Sequence, residues 1–259
     1  SFYDLSISTG GNSVSAAADL TVNNDFTMTA GNTGNFSAAA AITVNNDFTM
    51  TAGNTGNFST GTNTVEVTGA TNINGGILEI ADSPGIFDAK DFDANGAFVT
   101  FTGNGTLKLG GNAGSTPDLG TFDATTNNGT VEYDLDGNQG VFNATYHHLE
   151  IDNSTGTATA ASALGVEGNL TITNGNLTLD NIALTLGGNF VLTSGTFVPG
   201  NGDHTVTGNW TETLGGVTTF EATAGKFTFN GAGSTITSDA DNGNKFFNLT
   251  SAGNPVTAG

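Results

Sequence analysis

The stretch Thr21–Ser37, TVNNDFTMTAGNTGNFS, returns letter for letter as Thr43–Ser59, an offset of 22 residues. In the first half of each copy, apolar Val22, Phe26, Met28 and Ala30 alternate with polar Thr21, Asn23, Asp25, Thr27 and Thr29. A period of two marks a strand with one buried face, and AGNTGN is the chemistry of a turn. About 20 residues cannot enclose an apolar face of their own, so such a unit is stable only when stacked on a copy of itself. The pattern predicts an all-β fold, a parallel β-solenoid. Val22 should lie under Val44, Phe26 under Phe48 and Met28 under Met50, one strand spacing of about 4.8 Å apart.

The same reading extends in both directions. Residues 64–80 make a looser third copy, with Ile73 at the Met28 and Met50 position. Between 164 and 213 the period is 20: Gly168-Asn169-Leu170 returns as Gly188-Asn189-Phe190 and Gly208-Asn209-Trp210. Val166, Leu186 and Val206 keep that spacing, as do Leu177, Phe197 and Val217, while Leu164 and Leu184 lead to His204. The opening Phe2-Tyr3-Asp4-Leu5 matches Tyr146-His147-His148-Leu149 and again Phe246-Phe247-Asn248-Leu249. These matches divide one continuous solenoid over 1–259 into sub-modules 1–145 and 146–245, with a third starting at 246. About a dozen coils of 20–23 residues account for the chain. Residues 81–98, with Pro84-Gly85 and DAKDFDANG, break the rhythm and read as an excursion or an irregular coil. Ala38–Ala41 repeat the position of Ala16–Ala18 and read as tight packing, since no segment carries a helical period.

Composition narrows the partners. The chain has 24 acidic residues against four lysines (Lys90, Lys108, Lys226, Lys245), no arginine and a net charge of −20. That balance argues against nucleic acid or an anionic membrane as a partner. The absence of cysteine removes disulfides and thiolate metal sites. No apolar run reaches the length of a membrane span, so no membrane insertion is expected.

The series FYDLSI, LTVNNDFTM, GNLTITNGNLTLDNIALTLGGNF, GTFVPGN, TVTGNWTE and KFTFNGAGSTIT resembles tandem repeats of large bacterial surface proteins, the adhesin-like and autotransporter-like β-solenoids. The resemblance covers nearly the whole chain. It implies an extracellular or cell-surface location and a structural role, and it points to no active site.

Candidate chemistry is sparse. Asp91-Phe-Asp93-Ala-Asn95-Gly96 matches the first half of an EF-hand-type calcium loop, in which alternating oxygens wrap a hard cation. The twelfth position is Thr102, so the bidentate glutamate is missing. Asp91, Asp93 and Asn95 are the candidate calcium ligands, with shorter echoes at Asp134–Asn138 and Asp239–Gly243. Asp25 and Asp47 should lie one above the other, where like charges repel unless a cation or water intervenes. Asn23/Asn45 and Asn24/Asn46 should form ladders. Asp88, Asp91 and Asp93 are the one dense acidic group, the place to look for a polysaccharide-cleaving carboxylate pair, with Lys90 the only cation nearby in sequence. His204 should be a partly buried histidine at a coil edge. Thr-x-Thr pairs (Thr27/Thr29, Thr49/Thr51, Thr171/Thr173, Thr211/Thr213) resemble the rows of ice-binding solenoids, interrupted at Val191 and Asn72.

The expectation is a non-enzymatic structural protein, a subunit of a cell-surface filament whose partners are copies of itself stacked end to end. The alternatives are a stalk fragment of a giant adhesin, a carbohydrate-active β-helix enzyme, and an ice-binding or surface-glycan-binding solenoid.

Overall fold

A computed structural model describes residues 1–111, 113–123, 127–213, 218–220, 222–238, 245–252 and 256–258. Among these there is no helix, and the strands pair in parallel as a β-solenoid of about 11 turns. The contacts resolve into two compact units. The first comprises Ser1–Asn112 with Pro117–Val131, the second Ala113–Thr116 with Glu132–Gly259.

In the first unit a typical turn carries three short strands, as in Leu20–Val22, Phe26–Met28 and Phe36–Ala38. Each places its apolar residues inward and its polar residue outward, as a period of two requires. Stacking then aligns like residues into columns. Val22 pairs with Val44, Phe26 with Phe48 and Met28 with Met50, all fully buried, and Met50 continues to Ile73. Val14, Phe36, Phe58, Leu78, Val99 and Phe122 form a further column on the opposite wall. The phenylalanine rings stack along the axis and meet edge-on across it. Phe26 and Phe48 lie 5.1 Å apart at 18°, and Phe48 meets Phe58 at 4.8 Å and 78°. Both geometries suit the ring quadrupole, so the repeat aligns favourable aromatic pairs as well as apolar area. Ala38 is fully buried against the Ala16 position, where a larger side chain would push the coils apart.

Residues 81–98 are no excursion. Ile86–Asp93 is a strand in the stack, paired on one side with Thr64–Ile73 and on the other with Thr106–Leu109. The rhythm breaks because one corner shortens: Thr68, Gly69 and Ala70 lie between Val67 and Thr71, whereas only Lys90 and Asp91 lie between Ala89 and Phe92. Gly85 fits the preceding turn because a Cβ there would lie 2.4 Å from the carbonyl oxygen of Gly61. Gly56, in the second AGNTGN, meets the same demand: its Cβ would lie 2.0 Å from the oxygen of Gly34. At both places coil spacing, rather than backbone torsion, demands glycine.

The second unit repeats the scheme at a period near 20. Leu164–Val166 pairs with Leu184–Leu186, and Leu170, Phe190 and Trp210 share one buried column. Phe190 and Trp210 stack with centroids 3.8 Å apart. Gly188 N–H donates to the Gly168 carbonyl, and Gly208 N–H donates to that of Gly188. Two expectations change here. Phe197 pairs with Phe220, three residues beyond the expected Val217, which lies outside the described residues. Leu249 pairs with Phe227, in the column of Leu164, Leu184 and His204, so Phe246–Leu249 does not repeat the Tyr146–Leu149 position. Both shifts follow from turns longer than 20 residues, which move the register without changing local composition.

Candidate functional site

The calcium candidates are built on the outside of the first unit. Asp91 and Asp93 lie in the extended strand Ile86–Asp93, both exposed, and Asn95 occupies the turn that follows at φ 39°. The turn is closed internally: Asp93 Oδ1 accepts the Asn95 N–H at 2.8 Å, and Asn95 Nδ2 donates to Asn74 Oδ1 at 2.9 Å. Asp91 and Asp93 thus lie along an extended strand and Asn95 in the turn after it, rather than on one continuous loop of the kind an EF-hand winds about its ion. Among the described residues no group of three His, Asp or Glu could hold a metal. Of the echoes, Asp136 accepts the Ser154 hydroxyl and Asn138 Oδ1 accepts the Thr157 N–H. Asp239–Gly243 lies outside the described residues.

The acidic group has more cationic company than its sequence suggests. Asp88 lies between Glu66 and Lys108 in register, and Lys90 Nζ stands 4.0 Å from Asp88 Oδ1. Lys108, 20 residues downstream, enters the neighbourhood only through stacking. Asp91 and Asp93 are exposed, and Asp88 is half-buried.

At the corners of the first coils, hydrogen bonds occupy the space between Asp25 and Asp47 where a cation or water could have intervened. Asp4 Oδ1 accepts from Asn24 Nδ2 at 2.8 Å and from the Asp25 N–H at 3.3 Å. Asp25 Oδ1 accepts from Asn46 Nδ2 at 2.7 Å and from the Asp47 N–H at 3.4 Å. Asp47 Oδ1 accepts the Ala70 N–H at 2.8 Å. Each carboxylate therefore faces donors of the next coil rather than the next carboxylate, and charge-assisted hydrogen bonds offset the repulsion. The second unit carries the same ladder with different residues: His148 Nδ1 accepts the Asn169 N–H, Asn169 Oδ1 the Asn189 N–H, and Asn189 Oδ1 the Asn209 N–H, all at 2.9 Å. Asn209 Oδ1 ends it by accepting the Thr235 N–H at 2.9 Å. Of the expected asparagine ladders, Asn46 reaches Asn24 at 3.4 Å, while Asn23 and Asn45 are exposed. The buried ladder is one the sequence reading missed: Asn32 Nδ2 donates to Asn54 Oδ1 at 3.1 Å inside the AGNTGN turns.

The buried polar residues of the second unit include His204, Glu212 and the pair Tyr133 and Tyr146. His204 is 1 % exposed, fully inside rather than at an edge, with its ring 4.5 Å from that of Phe227. Its Nδ1 accepts the Leu184 N–H at 3.2 Å, and burial holds its pKa down to about 4. Glu212 takes an inward position beside Leu192, where Trp210 Nε1 donates to it at 2.7 Å and Ser238 Oγ at 2.9 Å. Tyr133 and Tyr146 touch through their hydroxyls at 2.9 Å. Tyr146 gives its hydrogen to the Phe142 carbonyl, so Tyr133, which accepts the Phe142 N–H, is the donor between the two. Burial pushes the Tyr133 hydroxyl up to about 12 and that of Tyr146 well above its ordinary value. Glu212 and the two tyrosines are thus hydrogen-bonded inside the core, while His204 uses only its Nδ1.

The outward threonine rows are interrupted as expected: Thr27 and Thr49 lead to Asn72, and Thr171 leads to Val191 and then Thr211. A row not foreseen, Thr185, Thr205, Thr228 and Thr250, continues through four turns. It is flanked by Asp203 and Lys226 on one side and by Thr207 and Asn230 on the other, so it is a single threonine row on a mixed face. A polar pocket of about 370 Å³ on the first unit is lined by Asp82, Thr102, Asn104, Asn127 and Asn128. No family profile, curated protein or solved structure matches the chain.

Proposed function

We propose that the chain is a structural segment of an extracellular fibre, built by adding coils along the solenoid axis, and that copies of it stack end to end. The observation that supports this reading is the unchanged stacking of like residues. Val22, Phe26 and Met28 lie on Val44, Phe48 and Met50 in fully buried columns, so each coil offers the next the same apolar columns and the same row of backbone N–H and C=O groups. The high acidic charge keeps fibres apart laterally while the edges join them axially.

Light scattering on the eluting peak of a size-exclusion column, with electron microscopy of the same fractions, tests end-to-end stacking. Concentration-dependent axial oligomers are expected. A clean monomer at high concentration, without fibres, would overturn self-assembly and leave the stalk of an adhesin as the structural reading. An enzymatic role would be revealed by polysaccharide turnover that disappears in Asp91→Asn or Asp93→Asn.

A further inference from the structure

Two of the three histidines hold acceptor posts between coils of the second unit. His148 Nδ1 takes the Asn169 N–H at the foot of the corner ladder, and His204 Nδ1 takes the Leu184 N–H in the core. An imidazole accepts at Nδ1 only while neutral, with its proton on Nε2. The equivalent posts at Asn169, Asn189 and Asn209 are amide oxygens, which gain no proton in mild acid. We propose that His148 and His204 form an acid-operated latch in the second unit, in which protonation turns each acceptor into a donor facing a donor and opens the rungs at Asn169 and Leu184.

The surroundings offer a new cation little support. Around His148 stand the ring of His147, 4.5 Å away and perpendicular, and Glu150 on the same strand, which accepts the Thr173 hydroxyl at 2.6 Å. Glu167 follows Val166 on the strand paired with Tyr146, and Glu132 lies on the strand paired ahead of His148–Ala160. Around His204, Asp203 is its chain neighbour and is bridged to Lys226 at 3.5 Å. Glu212, in the same core, is held by Trp210 and Ser238, and Leu184–Leu186 carries no charge. Among the described residues His204 Nε2 has no hydrogen-bond partner, so a second proton would leave both nitrogens as donors beside apolar rings. Desolvation lowers the proton affinity of both rings, helped at His148 by His147 and opposed at His204 by Asp203. An exposed imidazole takes its proton near pH 6.5, so below that pH the open form gains up to tenfold per pH unit at each histidine.

Hydrogen exchange on the intact chain at pH 7.0 and 4.5, normalised to the intrinsic rate at each pH, tests the latch. Protection at Asn169 and Leu184 should fall at least tenfold in acid, while Thr43–Met50 of the first unit keeps its protection. His148→Asn installs the residue of the ladder's next post and should retain acid protection at Asn169, whereas His204→Leu removes the acceptor of the Leu184 N–H and should leave that rung equally weak at both pH values. Unchanged protection in wild type, an equal loss in both units, or the same loss in the variants would overturn the proposal. Should His204→Leu disturb packing, the Asn169 rung in His148→Asn decides independently.

Discussion

Replacing Phe48 by alanine is the most direct test of the stacked core. The Phe48 ring has no exposure, stacks on Phe26 at 5.1 Å, and meets Phe58 and Phe87 edge-on at 4.8 and 5.5 Å. Truncating a buried phenylalanine costs about 3–5 kcal/mol, combining lost transfer energy with the cavity left behind. Neighbouring coils cannot collapse into that cavity, because their spacing is held by the backbone ladder on both sides. Three aromatic contacts, each worth about 0.5–1.5 kcal/mol, disappear at once. The expected loss is therefore in the upper half of the range, about 4–5 kcal/mol. Phe48→Leu should cost less, since leucine stands in this column at Leu5. Thr49→Ala, one residue along on the outer face, should stay within about 0.5 kcal/mol. Urea unfolding followed by far-UV circular dichroism measures all three. A Phe48→Ala loss below about 1 kcal/mol, comparable to that of Thr49→Ala, would refute the inward register.

Deleting Leu20–Ala41 joins Asp19 to Ile42 and sets Phe48 on Leu5 where Phe26 had been; a cooperative thermal transition within a few degrees of wild type is expected, and an aggregated or unfolded product would contradict whole-coil modularity. Asn189→Ala removes the acceptor of the Asn209 N–H at an exposed corner and should cost about 0.5–1.5 kcal/mol in urea unfolding, with Asn189→Asp recovering most of it because Asp25 fills the equivalent post in the first unit. The buried tyrosine pair predicts alkaline lability with a defined sign. Tyr133 has its pKa raised from 10 to about 12, so its contribution is complete below pH 10 and is lost as pH rises through about 12. Tyr133→Phe should flatten the stability profile between pH 10 and 12, as measured by thermal melting; an unchanged slope would place the alkaline transition elsewhere.

The architecture is legible in the order of residues alone. Alternation in LTV and FTM, repeated with the same spacing, leaves only one register in which Phe26, Met28, Phe48 and Met50 are all buried, because a one-residue slip turns every side chain to the other face. The same logic placed Ile73 above Met50 and Trp210 above Phe190. Tertiary structure decided what depends on coil length. A coil of 23 residues has the same local composition as one of 20, so the pairing of Phe197 with Phe220 and of Leu249 with Phe227 was not legible. Nor was the chemistry between coils. Lys108 stands opposite Asp88 in register, Asp25 reaches Asn46, and His204 reaches Leu184 across about one turn of chain, where sequence proximity carries no signal. Strand formation is local and periodic, and so is written in the residues. The hydrogen bonds that tie one coil to the next depend on how many residues each corner takes, and only the folded stack sets that number.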